Sequence, residues 1–174
     1  LGDWADVETS ASEKARVLER QARVLEEVLE DHARAAAAWE RVLAQGIDTA
    51  DAYRALEALH MRFGELERVA DVLRRQWAAR RPGQEPLEVA GRLAFLLEEE
   101  LSRREEALEI YRDVLIYAPR HRAALLGCHR LTHAMQRSTE AIQYGTRLND
   151  VLSLEDPLRP EVLRKDAQIL GETL

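Results

Sequence analysis

The chain has 174 residues, of which 46% are hydrophobic, 33% are charged and 5% are aromatic, and its formal net charge is −7 at pH 7. This length allows a buried core without disulfides or metals, and the abundant Ala, Leu, Glu and Arg favour helices. No apolar run approaches the about 20 residues that a membrane-spanning helix needs, and the negative charge argues against general nucleic-acid binding. We therefore predict a helical protein that does not insert into membranes or bind nucleic acid.

An internal repeat is the strongest pattern in the sequence. Segment 34–43 matches segment 106–115, and small residues or Val at positions 35, 69, 107 and 141 are separated by 34, 38 and 34 residues. Periods of this length are typical of stacked helical hairpins. An offset of 72 residues superimposes polar as well as apolar residues: Val17 on Val89, Arg20 on Arg92, Ala22 on Ala94, Leu25 on Leu97, Leu29 on Leu101, Ala35 on Ala107, Trp39 on Tyr111, and Val42-Leu43 on Val114-Leu115.

The stretch EEALEIYRDVLIYAPRHRAAL resembles the second helix of a tetratricopeptide repeat and the linker that follows it. Ala107 would let the two helices of a hairpin approach closely, Tyr111 would fill the space toward the next hairpin, and Pro119 would open that hairpin. The resemblance implies an all-α fold, a right-handed α-solenoid of antiparallel helical hairpins. It also implies a concave surface, lined mainly by the first helix of each hairpin, on which a partner can bind.

In chain order, the predicted elements are four helical hairpins and a terminal helix, which together make one repeat domain over residues 1–174. Gly46, Gly64 and Gly83 mark turns, because glycine commonly follows the end of a helix. The hairpins cover 11–45, 50–80, 85–117 and 121–152, with helices at 11–30 and 32–45, 50–63 and 65–80, 85–101 and 104–117, and 121–135 and 138–152, and the terminal helix covers 158–172.

Four positions depart from the pattern of the tetratricopeptide family. Gly145 stands where an aromatic residue is usual, and Ile47 stands where proline is usual. Glu57 and His129 occupy positions that are typically small. We therefore expect less regular helix pairing in the second and fourth hairpins.

The start of the chain fits the pattern of hairpins only in part. Gly2-Asp3-Trp4 resembles the start of a second helix, so either the array begins irregularly or residues are missing between about 7 and 12.

The start of the chain lacks the features of a signal peptide, and Cys128 cannot form an internal disulfide. We expect a cytoplasmic protein and an excerpt of a longer polypeptide, and the Ala- and Arg-rich composition favours a bacterial source.

Sequence motifs of enzymes and metal sites are scarce. The chain has no glycine-rich phosphate loop, no Cys-x-x-Cys and no His-Glu-x-x-His. His129 and His133 share one helix face, but two ligands do not complete a zinc site, so we predict no metal and no cofactor. We expect Cys128 in the core, both histidines partly exposed, and the glutamates at 98–100 and 105–106 on a solvated, salt-bridged corner. The chain is therefore predicted not to be an enzyme.

The predicted first helices carry arginines with apolar residues between them. Arginine binds carboxylates through two parallel hydrogen bonds, which favours an acidic peptide or an acidic protein surface as the partner. In the alternative, these arginines are ordinary surface residues that pair weakly with Glu27, Glu99 and other neighbours. The candidate partner-binding residues are Arg16, Arg20, Arg23, Arg54, Met61, Arg62, Arg92, Phe95, Leu126 and Arg130.

The remaining apolar residues divide between core and surface. Trp39, Tyr53 and Tyr111 occupy repeat positions typical of the core, and Trp77 is expected to pack under the corner at 81–83. The terminal helix presents apolar residues that no later hairpin covers, which predicts capping, packing against further repeats, or self-association. We therefore predict a protein–protein interaction scaffold, with a structural spacer or a regulatory segment of a larger protein as the alternatives.

Overall fold

The computed structural model describes residues 2–27, 31–46, 50–81, 83 and 86–172, and for residues 2–12, 27 and 172 it describes the backbone alone. Within these residues, no helix is long and apolar enough to cross a membrane. The predicted all-α fold of helical hairpins is confirmed. The described part of the chain forms nine α-helices: α1 Gly2–Glu27, α2 His32–Ala44, α3 Ala50–Arg62, α4 Leu66–Ala78, α5 Leu87–Phe95, α6 Arg104–Tyr117, α7 Arg122–Ala134, α8 Ser138–Asn149 and α9 Leu158–Glu172.

Helices α1 and α5 differ most from the predicted bounds. Helix α1 begins at Gly2 rather than at residue 11, because no glycine or proline interrupts the chain between Asp3 and Glu27. Gly2-Asp3-Trp4 continues into the rest of α1 without a turn, and α1 has 26 residues where α2 has 13. Helix α5 begins at Leu87 after Pro86, and it ends in a π-helical turn, Leu96–Glu100, which the sequence pattern did not predict.

The chain folds into two compact units, one up to Gln76 and one from Trp77 onward. The prediction of a single repeat domain over 1–174 therefore stays a prediction. In the first unit, the buried face of α1 packs with α2 and α3 around Trp39, which is 2% exposed. The predicted core position of Trp39 and Tyr53 is confirmed by their burial. The core of this unit contains Leu18, Ala22, Leu25, Ala35, Ala38, Trp39, Val42, Ala52, Tyr53, Leu56, Leu59 and Val72.

In the second unit, the hairpins α5–α6 and α7–α8 and the helix α9 share a core of leucines. Tyr111 of α6 is buried against α7 at Gly127, where a Cβ atom would lie 2.6 Å from the Tyr111 Cδ2 atom. Glycine is needed there because any side chain would displace the ring. The fully buried large residues of this unit are Leu93, Leu97, Leu108, Leu125, Leu131, Leu148, His129 and Val114.

The loops inside three hairpins share one backbone conformation. Gly64, Ser102 and Gln136 follow the first helix of their hairpins with φ angles of +68°, +56° and +58°. The left-handed conformation costs a residue with a side chain about 1–2 kcal/mol, whereas glycine adopts it freely. Gly64 thus makes the turn predicted for it. Ser102 and Gln136 make equivalent turns at a higher conformational free energy.

Candidate partner-binding surface

Three candidate arginines lie on an exposed line of α1. Arg16, Arg20 and Arg23 are spaced by four and three residues, which places them on one face of a helix. Among the described residues, Arg16 and Arg20 have no hydrogen-bond or ion-pair partner. Arg23 instead lies 3.6 Å from Asp51 of α3, and its guanidinium is 5.9 Å from the centre of the Trp39 ring.

The candidates on α3 are less uniform. Arg54 pairs with Asp51 of its own helix, so Arg23 and Arg54 converge on the same carboxylate. Met61 and Arg62 are exposed at the end of α3. A carboxylate of a partner would compete with Asp51 for Arg23 and Arg54, whereas Arg16 and Arg20 present their guanidinium groups to solvent.

The second unit brings apolar and basic candidates together on α5 and α7. Phe95 is 55% exposed although it is a large aromatic residue, and Arg92 lies three residues before it on the same helix face. Leu126 and Arg130 are spaced by four residues on α7. Arg130 donates hydrogen bonds to Glu98 at 2.5 Å and to Glu99 at 3.3 Å, and these bonds tie α7 to the π-helical turn after α5.

A cavity of about 350 Å³ lies between α7 and α9 and includes two candidates, Leu126 and Arg130. Its polar rim also includes Lys165, whose ammonium group is 2.8 Å from Glu161. The cavity is large enough for an apolar side chain, and its charged rim suits a ligand with polar groups. The other residues that line the cavity are Tyr111, Ala123, Gly127, His129, Leu158 and Val162.

The acidic corner after α5 is only partly as predicted. Glu105 is exposed and accepts a hydrogen bond from Arg137 at 2.5 Å, as expected of a solvated, salt-bridged corner. The Glu98 side chain is only 9% exposed, so its predicted solvation is wrong. Burial raises the pKa of Glu98, and the neighbouring Arg130 cation offsets part of this increase.

The two histidines of α7 differ in burial, because His129 is buried and His133 is half-buried. His129 is buried rather than partly exposed, and its Nε2 donates a hydrogen bond to Asp166 of α9 at 2.9 Å. Gly145 of α8 leaves room for this carboxylate, since a Cβ atom there would lie 2.7 Å from Asp166 Cγ. In the described part of the chain, no group of three or more His, Cys, Asp or Glu side chains is placed to hold a metal ion. Burial raises the pKa of the adjacent Cys128 thiol to about 12, as expected of a core residue.

Comparison with known proteins defines the fold. No protein-family model matches the sequence, and no curated protein sequence matches it significantly. The structure is similar to the crystal structure of YrrB, described as a TPR protein with an unusual peptide-binding site, with a TM-score of 0.56. The chain has a tetratricopeptide-repeat fold. The aligned region covers 90% of this chain and 76% of YrrB at 15% sequence identity, so the likeness concerns the fold alone.

Within the tetratricopeptide-repeat fold, one aromatic cluster contacts α6. The indole Nε1 of Trp77 donates to Asp113 at 2.7 Å, and Arg80 donates to the same oxygen at 2.8 Å. The Arg80 guanidinium lies 4.3 Å from the Trp77 ring centre and 5.1 Å from that of Tyr117. Trp77 was predicted to pack under the corner at 81–83, of which Pro82 lies outside the described residues.

Of the residues that line the α7–α9 cavity, sequence reasoning named only Leu126 and Arg130 as binding candidates, and it missed Tyr111, Val162 and Lys165 among others. Tyr111 was predicted as core alone, and α9 was predicted as an uncovered helix. In tetratricopeptide repeats, each first helix neighbours the first helix of the next repeat. The predicted helix at 158–172 would have indicated contact between α7 and α9, but only the structure shows which residues meet.

Proposed function

We propose that this protein is a non-catalytic interaction module that binds a partner protein or peptide on the exposed face of its first helices. The observation that carries the proposal is the exposed Phe95, next to Arg92 on α5 and accompanied by Leu126 and Arg130 on α7. Exposed aromatic and arginine residues contribute most of the binding energy in many protein interfaces. A large aromatic side chain left in water is otherwise unfavourable.

The shared fold gives independent support. YrrB has the same kind of helical repeats and is described as having a peptide-binding site. Helical repeats offer an extended surface because the first helices of successive hairpins lie side by side. The proposal for this chain rests on its own exposed residues, since 15% identity carries no site from one protein to the other.

We further propose that the partner is acidic. Arg16 and Arg20 have no partner among the described residues, so a carboxylate could bind them without breaking an ion pair within that part of the chain. Arg130 is available only in exchange for Glu98 or Glu99. A carboxylate of the partner would therefore bind most favourably to the arginines of α1 and least favourably to Arg130 of α7.

The location and the assembly of the protein are further parts of this proposal. A single cysteine suits a reducing cytoplasm, and the composition suits a bacterial source. Leu163 and Leu170 of α9 are about half exposed, which supports self-association through that helix. Light scattering should then give a mass above that of one chain, and Leu163→Ser with Leu170→Ser should restore the monomer mass.

The proposed face is tested by affinity capture from a lysate of the source organism. The bait is the wild-type chain, and a second bait carries Phe95→Ser. A matched third bait carries Ile116→Ser, which removes a large, exposed apolar residue from the second helix α6. Bound proteins are identified by mass spectrometry, and circular dichroism checks that all three baits are equally helical.

We expect a partner that the wild-type and Ile116→Ser baits retain and the Phe95→Ser bait loses. Equal retention by all three baits would show that binding uses another face. Failure of every bait to retain a partner would favour a structural spacer. A regulatory segment would differ from both, because it would change the activity of a neighbouring domain.

A further inference from the structure

A groove of about 630 Å³ lies between α1 and α2 in the first unit. Val17, Leu18 and Ala44 supply its apolar residues. Its charged residues are Lys14, Arg41 and Glu13, so cations outnumber carboxylates. The surface of the first hairpin is thus apolar at this groove and basic around it.

The internal repeat relates this face to one that is buried in the third hairpin. The offset of 72 residues relates Val17 to Val89 and Val24 to Leu96. Val89 and Leu96 are each 5% exposed, whereas Val17 is 67% and Val24 is 44% exposed. The side chains at these equivalent positions are therefore exposed in the first hairpin and buried in the third. Among the described residues, this face of α1 is left exposed, although the equivalent face of α5 is buried.

The third hairpin shows what kind of residues occupy the equivalent place on the second helix. The same offset relates Arg41 of α2 to Asp113 of α6, and Gln45 to Tyr117. Asp113 accepts hydrogen bonds from Trp77 and Arg80, and Arg80 also lies over the Tyr117 ring. Trp77, and Arg80 three positions later in the chain, thus contact α6 at the position equivalent to Arg41. There Arg80 pairs with the carboxylate of Asp113.

The charge is reversed in the first hairpin, where Arg41 replaces the carboxylate of Asp113. We propose that the α1–α2 groove is a second docking site, which takes the end of a helix from a separate acidic protein. That helix carries a large apolar residue followed three positions later by a carboxylate, which pairs with Arg41. The α1–α2 groove is a different surface from the one around Phe95. The inference therefore goes beyond the proposed function and is tested independently of it.

The ion pairs within the second unit favour a separate protein over a further hairpin of the same type. Arg80 pairs with Asp113, and Arg112 of α6 pairs with Glu140 of α8. In these two pairs, an arginine from the earlier part of the chain meets a carboxylate on the later second helix, whereas Arg130 and Arg137 pair in the opposite sense with Glu98 and Glu105. The Arg80–Asp113 pair is the one at the position equivalent to Arg41. An additional hairpin of this type would bring an arginine to Arg41, where like charges repel. An acidic helix avoids this repulsion.

The test uses two synthetic peptides based on residues 66–80 of this chain, LERVADVLRRQWAAR, which contain Trp77 and Arg80 in the required spacing. One peptide keeps Arg80, and the other carries Arg80→Glu. A hydrocarbon staple at the exposed positions 67 and 71 keeps both helical, since isolated helices of this length are marginal. Fluorescence anisotropy measures their affinity for the full wild-type chain and for Arg41→Asp.

We expect the Glu peptide to bind the wild-type chain about tenfold more tightly than the Arg peptide, and Arg41→Asp to reverse this order, because close charge pairs determine the preference. Val17→Ser should weaken both peptides, whereas Leu154→Ser, at an exposed apolar position outside the groove, should weaken neither. Arg41→Ala should remove the preference if Arg41→Asp does not fold. Equal affinities of the two peptides for wild type and variants, or no binding by either peptide, would overturn the inference.

Discussion

His129 of α7 and Asp166 of α9 are joined by a 2.9 Å hydrogen bond across 37 residues of sequence. His129 occupies a position that is typically small in tetratricopeptide repeats, and Gly145, where an aromatic residue is usual, leaves the space that Asp166 fills. The two departures from the family's pattern are therefore complementary. Together they attach α9 to the fourth hairpin through a buried polar contact.

This arrangement predicts that Gly145→Ala destabilises the protein by about 1–3 kcal/mol, because the added methyl group overpacks the site against Asp166. In an Asp166→Ala background the same substitution should cost less, since the two residues share one space. Urea denaturation of the wild type, the two single variants and the double variant measures this coupling.

Gly171→Ala is the matched control, because a Cβ atom at that position of α9 meets no atom within 4 Å. It should leave stability unchanged or raise it by up to about 1 kcal/mol through better helix propensity. Equal costs of Gly145→Ala with and without Asp166 would contradict the packing described here.

Cys128 should be unreactive in the folded protein. Burial raises the pKa of its thiol to about 12, so only about 10⁻⁴ of it is thiolate at pH 8, and the thiolate is the reactive form. Labelling with Ellman's reagent should be slow in buffer and fast in urea. An added exposed cysteine, Ser153→Cys in a Cys128→Ala background, should react at once, and equally rapid reaction of native Cys128 would contradict its burial.

Trp39→Ala should reduce the free energy of unfolding by about 3–5 kcal/mol, the usual cost of truncating a buried large aromatic residue. The side chain is 2% exposed and its Nε1 donates to Glu26 at 3.3 Å, so both packing and a hydrogen bond are lost. Thermal denaturation followed by circular dichroism measures the effect. Phe95→Ala, at an exposed aromatic, should change the melting temperature little, and an equal loss in both variants would refute the assignment of Trp39 to the core.

Glu98 should make the protein less stable as the pH rises. The pKa of Glu98 is raised in the folded state, so the unfolded chain loses this proton first as the pH increases. The associated stability is present below the unfolded pKa of about 4.5 and is lost between that value and the folded pKa. Glu98→Gln does not titrate, so its stability relative to wild type should increase from pH 4 to pH 7, and a difference that is constant with pH would contradict the raised pKa.

Much of the fold could be predicted from the sequence, because the repeat offset and the turn residues fix where hairpins begin and end. The terminal helix was predicted at 158–172 and is observed as Leu158–Glu172. The early start of α1 and the π-helical turn after Phe95 could not be predicted in this way. Both are continuations of a helix, for which the sequence contains no breaking residue as a signal.

The candidate surface was harder to predict than the fold. Periodicity places Arg23, Arg54 and Arg130 on exposed helix faces, but it does not reveal that Asp51 and Glu98 already pair with them. Of the observed partners, only Glu99 was anticipated from the sequence. Burial of His129 likewise depends on a carboxylate 37 residues away. Contacts between distant segments depend on the packing of helices, which a periodic pattern in one helix does not specify.

The most direct test of the proposed function is site-specific photo-crosslinking to the partner retained in affinity capture. Benzoylphenylalanine replaces Phe95 on α5 in one sample and Ile116 on α6 in another, both at exposed positions. We predict a covalent adduct between the partner and the chain labelled at position 95, and none with the chain labelled at position 116. An adduct formed only at position 116, or equally at both positions, would contradict binding through the face of the first helices.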